Sequence, residues 1–484
     1  MKQISMYSNL TFVVFYLLVS PLTYAATINV PADQPTIQAG IDIAQNGDTV
    51  LVDDGVYTGE GNVNIDFKGK RITLKSRNGA EATIIDCEKK FGTRGFYFHN
   101  GETNESVLDG FTITNGSHQS GGAITLISAS PTIKNCVVKD NLTLGIHCIN
   151  SDLIILDSII SHNIGVGVAI SGIDVLISDI RDGFIQDGIN MEETFIKRPT
   201  IKSCTISNNT GIGISCLDDG AIIVNCTVSN NGGRGISVIS FTSAEITDSR
   251  ITQNSGGGLK CSEYSRIRIK NSIIDKNTAE DGGGVFCSPT SSLYATDCVI
   301  ANNTALKNGG GIWDLTRFGD AFVKHCTITQ NSAGNKGGGI YVTDRGHLNM
   351  TNSIVWDNTS DGTHAEVFAW GILTIKSCNI KDGLDGIERK PDGRLFRYED
   401  NIDADPLFVN AKAGDYALQP NSPAAGMGVR DPEDQEPIEL KQDELEENNQ
   451  QENKEQEPRS VSHRGKQLVK WADLKRKQRI ASIY

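Results

Sequence analysis

Apolar and polar positions alternate along this chain in short blocks, and the blocks themselves recur. In "NCVV", "DSII", "NCTV", "DSRI", "NSII", "DCVI" and "NSIV" a small residue follows Asn or Asp, at Cys136, Ser158, Cys226, Ser249, Ser272, Cys298 and Ser353. "SCTI", "HCTI" and "SCNI" add Cys204, Cys326 and Cys378. The steps between these anchors are 22 to 28 residues, except for one of 46 between Ser158 and Cys204 that reads as two turns of 23. Cys87 and Gly110 continue the series upstream less clearly. Ile or Val stands two residues after almost every anchor, from Val138 to Ile380, and an apolar residue three before, from Ile133 to Ile375. Asn comes five after, from Asn115 through Asn141 to Asn358, followed by glycines and another apolar strand such as "GIGISC" or "GGGIYV".

Alternation of this kind makes short strands with one buried face. Asn and Gly tolerate left-handed backbone and mark corners. Three strands and three corners in about 23 residues make one turn of a coil, which buries its inner face only by stacking on its neighbours. Equivalent strands then pair in parallel about 4.8 Å apart, and a column of identical Asn side chains can hydrogen-bond along the stack. The expected fold is all-β, a parallel β-helix of about 13 turns. The chain divides into a leader (1–25), a cap with the first turns (26–85), the repeats (86–385), a closing segment (386–430) and a charged low-complexity tail (431–484).

The 50 glycines show no three-residue period, which excludes collagen and suits many tight turns. The leader holds the apolar run "LTFVVFYLLV" after Lys2, with "TYA" before Ala26, the layout of a secretory signal. The protein is therefore expected outside the cell or on its surface. Eleven cysteines would then suggest disulfides, but six occupy the anchor column and four others a second inward column, where Ser and Val replace them. They read as small buried residues. The tail runs from acidic "EDQEPIELKQDELEENNQQENKEQEPRS" to basic "HRGKQLVKWADLKRKQRI", which offers contact with the cell envelope. A net charge of -14 argues against nucleic acid. A monomer is expected.

The repeat resembles the right-handed parallel β-helix proteins of the pectate-lyase-like superfamily, of the secreted bacterial type, over about residues 28–425. "INVPADQPTIQAGIDIAQNGDTVLVDDGVY" is similar to their opening segment, in which a short helix caps the first turn. "DADPLFVNAKAGDYALQPNSPAAGMG" is similar to their closing segment. The resemblance implies polysaccharide, acidic or of the envelope, as partner. If the chain is an enzyme, it implies a polysaccharide lyase or a related glycosidase, with calcium as the candidate cofactor. No full catalytic set carries over: "RIRIK" at Arg266–Lys270 lacks a "GHG" partner, and strand alternation already explains it.

Chemistry is sought on outward columns. In the strand after the glycines, the outward residues include His147, Ser215, Ser237, Lys260, Phe286, Trp313 and Tyr341. The last three form an aromatic column at a spacing close to that of an extended sugar chain, near Asp314, Arg317, Asp344 and Arg345. The bland alternative is cross-strand packing. The irregular stretch "SDIRDGFIQDGINMEETFIKRPT" concentrates charge and supplies Arg181, Asp182, Lys197 and Arg198 as candidates for a catalytic base and its partner. Two functions stand side by side: a β-helix that binds polysaccharide, with or without cleaving it, and a non-catalytic adhesin or scaffold.

Overall fold

The structure, a computed structural model, describes residues 25–119, 121–172, 198–316, 321–344, 346–362, 366–389 and 395–430. The expectations for a signal peptide and for an envelope-binding tail fall outside these residues.

Among the described residues, each turn away from the two ends gives one strand to each of three long parallel sheets, which hold 15, 13 and 12 strands. One turn contributes Thr132–Lys134, Val137–Lys139 and Leu144–Ile149; the next contributes Ile154–Leu156, Ile159–Ser161 and Val168–Ser171. Where the anchor spacing lengthens beyond Ser272, the added residues form a fourth sheet of two-residue strands, Thr278–Ala279, Thr304–Ala305, Ser332–Ala333 and Thr359–Ser360.

The apolar columns meet rung by rung. Ile133, Ile155 and Ile201 stack in register inside the first sheet, and Val138, Ile160 and Ile206 inside the second, all without solvent contact. A turn without its neighbours would expose this whole inner surface, so burial here belongs to the stack and not to the single turn. All eleven cysteines are buried and free. Burial pushes the Cys136 thiol up to about 12, so it behaves as a small apolar group and not as a nucleophile.

The corners are made one residue earlier than the Asn column. The residue before each anchor is left-handed, as at Asn135 (φ 53°), Asp157 (φ 46°) and Asn225 (φ 52°). So is the residue before each column Asn, as at Asp140 (φ 55°) and Lys276 (φ 57°). Asn and Asp dominate there because they tolerate this conformation best among residues with a side chain.

The column asparagines themselves point inward and are spent on hydrogen bonds. Asn231 Nδ2 donates to Asn254 Oδ1 (3.0 Å) and to the Ile206 carbonyl (3.1 Å), while its backbone N–H donates to the same Asn254 Oδ1 (3.0 Å). The pattern runs from Asn141 to Asn358. It closes on Glu366, whose carboxylate accepts from Asn358 Nδ2 at 2.7 Å. Every donor of a buried amide is thereby matched, which is the condition for keeping it in a core.

Two details correct the repeat reading. Ile154 pairs with Thr200 and Ile159 with Thr205, so the turns of Ser158 and Cys204 are direct neighbours. The 46-residue step is one turn carrying an insertion, not two turns. Upstream, Thr112 pairs with Val137, which sets Asn115 level with the left-handed Asp140. The ladder therefore starts from the Gly116 N–H donating to Asn141 Oδ1 (2.7 Å), and Asn115 stays outside it.

At the N-terminal end the helix Ile37–Ile43 lies over the first turn, with Thr36 as N-cap accepting from Ala39 N–H at 3.2 Å. At the other end the hairpin of Phe408–Asn410 and Asp415–Leu418 folds back along the side of the coil. Tyr416 Oη donates to Gln330 (2.9 Å) and accepts from Asn302 (2.8 Å), and Arg430 grips buried Asp297 through two bonds (2.9 and 3.0 Å).

Candidate functional site: the outer face of the third sheet

The outward column of the third sheet changes character along its length, because register stacks like positions on one another. It begins with Tyr97, Thr125 and His147, continues with the small residues Ala169, Ser215 and Ser237, and reaches Lys260. Phe286, Trp313, Tyr341 and Phe368 then follow on four consecutive rungs.

Phe286, Trp313 and Tyr341 are each half-buried. Phe286 and Trp313 have ring centroids 4.4 Å apart with planes 36° apart, and Tyr341 and Phe368 are 5.0 Å apart and nearly parallel. Phe368 extends the column by a rung that the repeat pattern had not assigned to it. It is fully buried. The backbone beside the column is glycine for a geometric reason: at Gly309 (φ 67°) a Cβ would lie 2.7 Å from Trp313 Cβ.

Both ends of the ring stack carry a cation. The Arg234 guanidinium lies 5.2 Å from the Phe286 centroid and donates to the carbonyls of Leu259 (3.0 Å) and Asp281 (3.2 Å). Burial lowers its pKa to about 10. Lys336 Nζ sits 4.1 Å from the Phe368 centroid and pairs with Glu388 at 2.8 Å. Cations over ring faces add to such a stack. Burial, with Asp281 and Asp344 nearby, raises the Tyr341 phenol pKa.

The remaining candidates separate. Asp344 is exposed at the end of the Tyr341 strand. Asp314 is on the inward side of its strand, level with Cys287 and Val342, fully buried, and accepts from Thr316 N–H at 2.9 Å. Arg317, Arg345, Arg181, Asp182 and Lys197 lie outside the described residues. Arg198 is described and faces the first sheet: its guanidinium donates to Glu245 (3.0 Å) and Ser243 (3.4 Å), and its N–H to Asp152 (2.9 Å). Among the described residues no group of three or more His, Cys, Asp or Glu could hold a metal ion, so no calcium site is assigned.

A second aromatic stack stands on the outer face of the first sheet. Tyr294 and Phe322 are 5.2 Å apart and stacked, with Arg268 5.6 Å and Arg266 6.0 Å from the Tyr294 centroid.

A family model described as a right-handed β-helix region matches residues 187–336 and 296–402. With the continuous parallel ladders, this settles the fold and its hand. The chain is a right-handed parallel β-helix. No curated protein matches it in sequence. Solved structures similar to it include pectate lyase Pel9A (13% identity, 85% of this chain and 94% of that one, TM-score 0.37). XylC bound to xylose is similar as well (12%, 77% and 84%, TM-score 0.44). So is the A-module of the Azotobacter vinelandii mannuronan C-5 epimerase AlgE4 (12%, 76% and 95%, TM-score 0.33). At such identities and scores, no residue of these proteins has a counterpart to assign in this β-helix.

Proposed function

We propose that this β-helix is exported and binds polysaccharide along the outer face of its third sheet, with Phe286, Trp313 and Tyr341 as the contact surface. The supporting observation is the partly exposed aromatic column of Phe286, Trp313 and Tyr341 on consecutive rungs of one sheet. Phe286, Trp313 and Tyr341 stand in register on neighbouring strands, which repeat about every 4.8 Å, with the Phe286 and Trp313 centroids 4.4 Å apart, close to the rise of one sugar in an extended chain. The 36° opening between Phe286 and Trp313 leaves the wider indole incompletely covered by the phenyl ring. A sugar's apolar C–H face packs against such a surface, while the ring edges carry partial positive charge that suits sugar oxygens.

Export rests on the leader-like first 25 residues. The reading is one of binding.

A second reading, a scaffold without ligand, has its own support. The rings stack on one another and each end is closed by a cation, an arrangement that stabilises stacked strands by itself.

Incubating the mature protein with a panel of acidic and neutral polysaccharides, with and without calcium, separates these readings. Retention on a polymer that falls at least tenfold in Trp313→Ala supports binding. A rise in ultraviolet absorbance from an unsaturated product would add cleavage. Retention on no polymer would leave the scaffold reading.

A further inference from the structure

Five to seven rungs before Phe286 on the same outer face, three basic side chains gather without an acid among the described residues. Arg94 precedes the strand Phe96–Phe98, His118 lies in the loop before Gly122–Ile127, and His147 stands on Leu144–Ile149. They thus come from three successive turns of the coil. Tyr97, Thr125 and His147 are in register, and Thr125 between them is fully buried.

The guanidinium of Arg94 is half-buried. It lies 4.3 Å from the Tyr97 centroid, and its Nη2 contacts His118 Nε2. It has no carboxylate partner among the described residues. That is unusual for a guanidinium in a chain of net charge -14, where acids are plentiful. His118 Nδ1 and His147 Nδ1 are both buried with no hydrogen-bond partner. Burial, and then Arg94, lowers the pKa of both imidazoles, so each is held neutral beside a cation. Unmatched buried nitrogens of this kind cost free energy unless something meets them.

A Cβ at Gly121 would come 2.5 Å from Thr125 Oγ1 and 3.4 Å from Arg94 Nη1, so only glycine lets the backbone pass this close to the guanidinium. A half-turn of the His147 ring about its terminal torsion, a broad two-fold motion, moves Nδ1 to the opposite ring edge.

We propose that Arg94, His118 and His147 form an oxyanion-binding site that takes a sulfate or carboxylate substituent of the ligand. A guanidinium fork with imidazole N–H donors matches an oxyanion's oxygens. The identification of that ligand as a glycan rests on the reading above; the anion site itself does not. Sulfate esters and carboxylates share the required chemistry, and the probe separates them.

The test is a titration of the full chain with sodium sulfate, and separately with sodium acetate, at ionic strength held constant with chloride. The histidine ring nitrogens are followed by NMR. The expected result is a saturable shift of the His118 and His147 signals, with at least a tenfold loss of affinity in Arg94→Gln. The tighter of the two anions identifies the substituent. Should Arg94→Gln not fold, Arg94→Lys keeps the charge, loses the fork, and is expected to weaken binding as well. No saturable shift with either anion, or equal affinity in the Arg94 variant, would overturn the site. Trp313→Ala is expected to leave these shifts unchanged, so a failure of the aromatic contact surface and a failure of the anion site are read separately.

Discussion

Two columns of stacked side chains run along this β-helix, one inside and one outside, and they solve different problems. The asparagine ladder is closed: from Asn163 to Asn358 each Nδ2 has two acceptors and each Oδ1 two donors on the neighbouring turns. The aromatic column on the third sheet is only half covered, although its rings also stack. A closed column has nothing left to offer a ligand, so its worth lies wholly in holding turns together. A half-open one contributes less to stability and keeps surface for contact. The same in-register geometry thus yields a structural element where the side chains are polar and inward, and a binding surface where they are aromatic and outward.

The largest effect is expected from breaking the inner column. Asn254→Ala leaves Asn231 N–H and Nδ2 without their acceptor and the Val228 carbonyl without its donor. Unfolding in urea should show a loss of about 4 kcal/mol.

Next comes the acid that ends the ladder. Burial pushes the Glu366 carboxyl up to about 7, although Asn358 donates to it. The folded pKa lies above the unfolded value, so the sign is fixed. Below pH 4.5, the ordinary value, both states hold the proton and no penalty exists. As pH rises from there to about 7, only the unfolded chain ionises, and stability falls. Above that the penalty is complete, about 3 kcal/mol. Glu366→Gln keeps an acceptor for Asn358 and should remove this slope. The variant is then the more stable protein at pH 8, and the two unfolding curves converge near pH 4.

The outer column should respond differently. Trp313→Ala removes a half-exposed ring from a stack, and urea unfolding should register only about 1 kcal/mol. A loss as large as that of Asn254→Ala would erase the distinction between the columns. Smallest of all, Lys276→Asn places a residue tolerant of left-handed backbone at φ 57°. It should raise stability by about 0.5 kcal/mol.

The fold was legible because each buried column repeats at nearly constant spacing, and a wrong register would turn isoleucines such as Ile206 and Ile251 outward. The parallel stacking follows from that repetition; the hand does not, and came from the family resemblance. The 46-residue step misled because sequence spacing counts residues, whereas stacking counts turns, and an insertion leaves the neighbouring strands in register. The corners misled by one position: Asn is both a corner former and a ladder former, and only burial separates Asn135 from Asn141.

The site was less legible because outward positions are not constrained by the core. Trp313 and Tyr341 were placed on one face by alternation alone. The inward orientation of Asp314 follows from the same alternation, since it neighbours Trp313 on one strand. Arg94 and His118 sit in the early turns, where no anchor marks the register. The one signal for them was the alternation "FYF", which turns Tyr97 outward beside Arg94. Arg198, grouped by sequence with a charged stretch, is instead tied to Glu245 across two turns, a contact no local pattern encodes.

The most direct test of the account compares the two outer aromatic stacks on one polysaccharide that retains the wild-type protein. Trp313→Ala on the third sheet and Tyr294→Ala on the first remove rings from similar stacks, each flanked by arginine. The account predicts that retention falls at least tenfold for Trp313→Ala and stays at the wild-type level for Tyr294→Ala. Equal retention of both variants, or loss only in Tyr294→Ala, would contradict the assignment of the third sheet as the contact face.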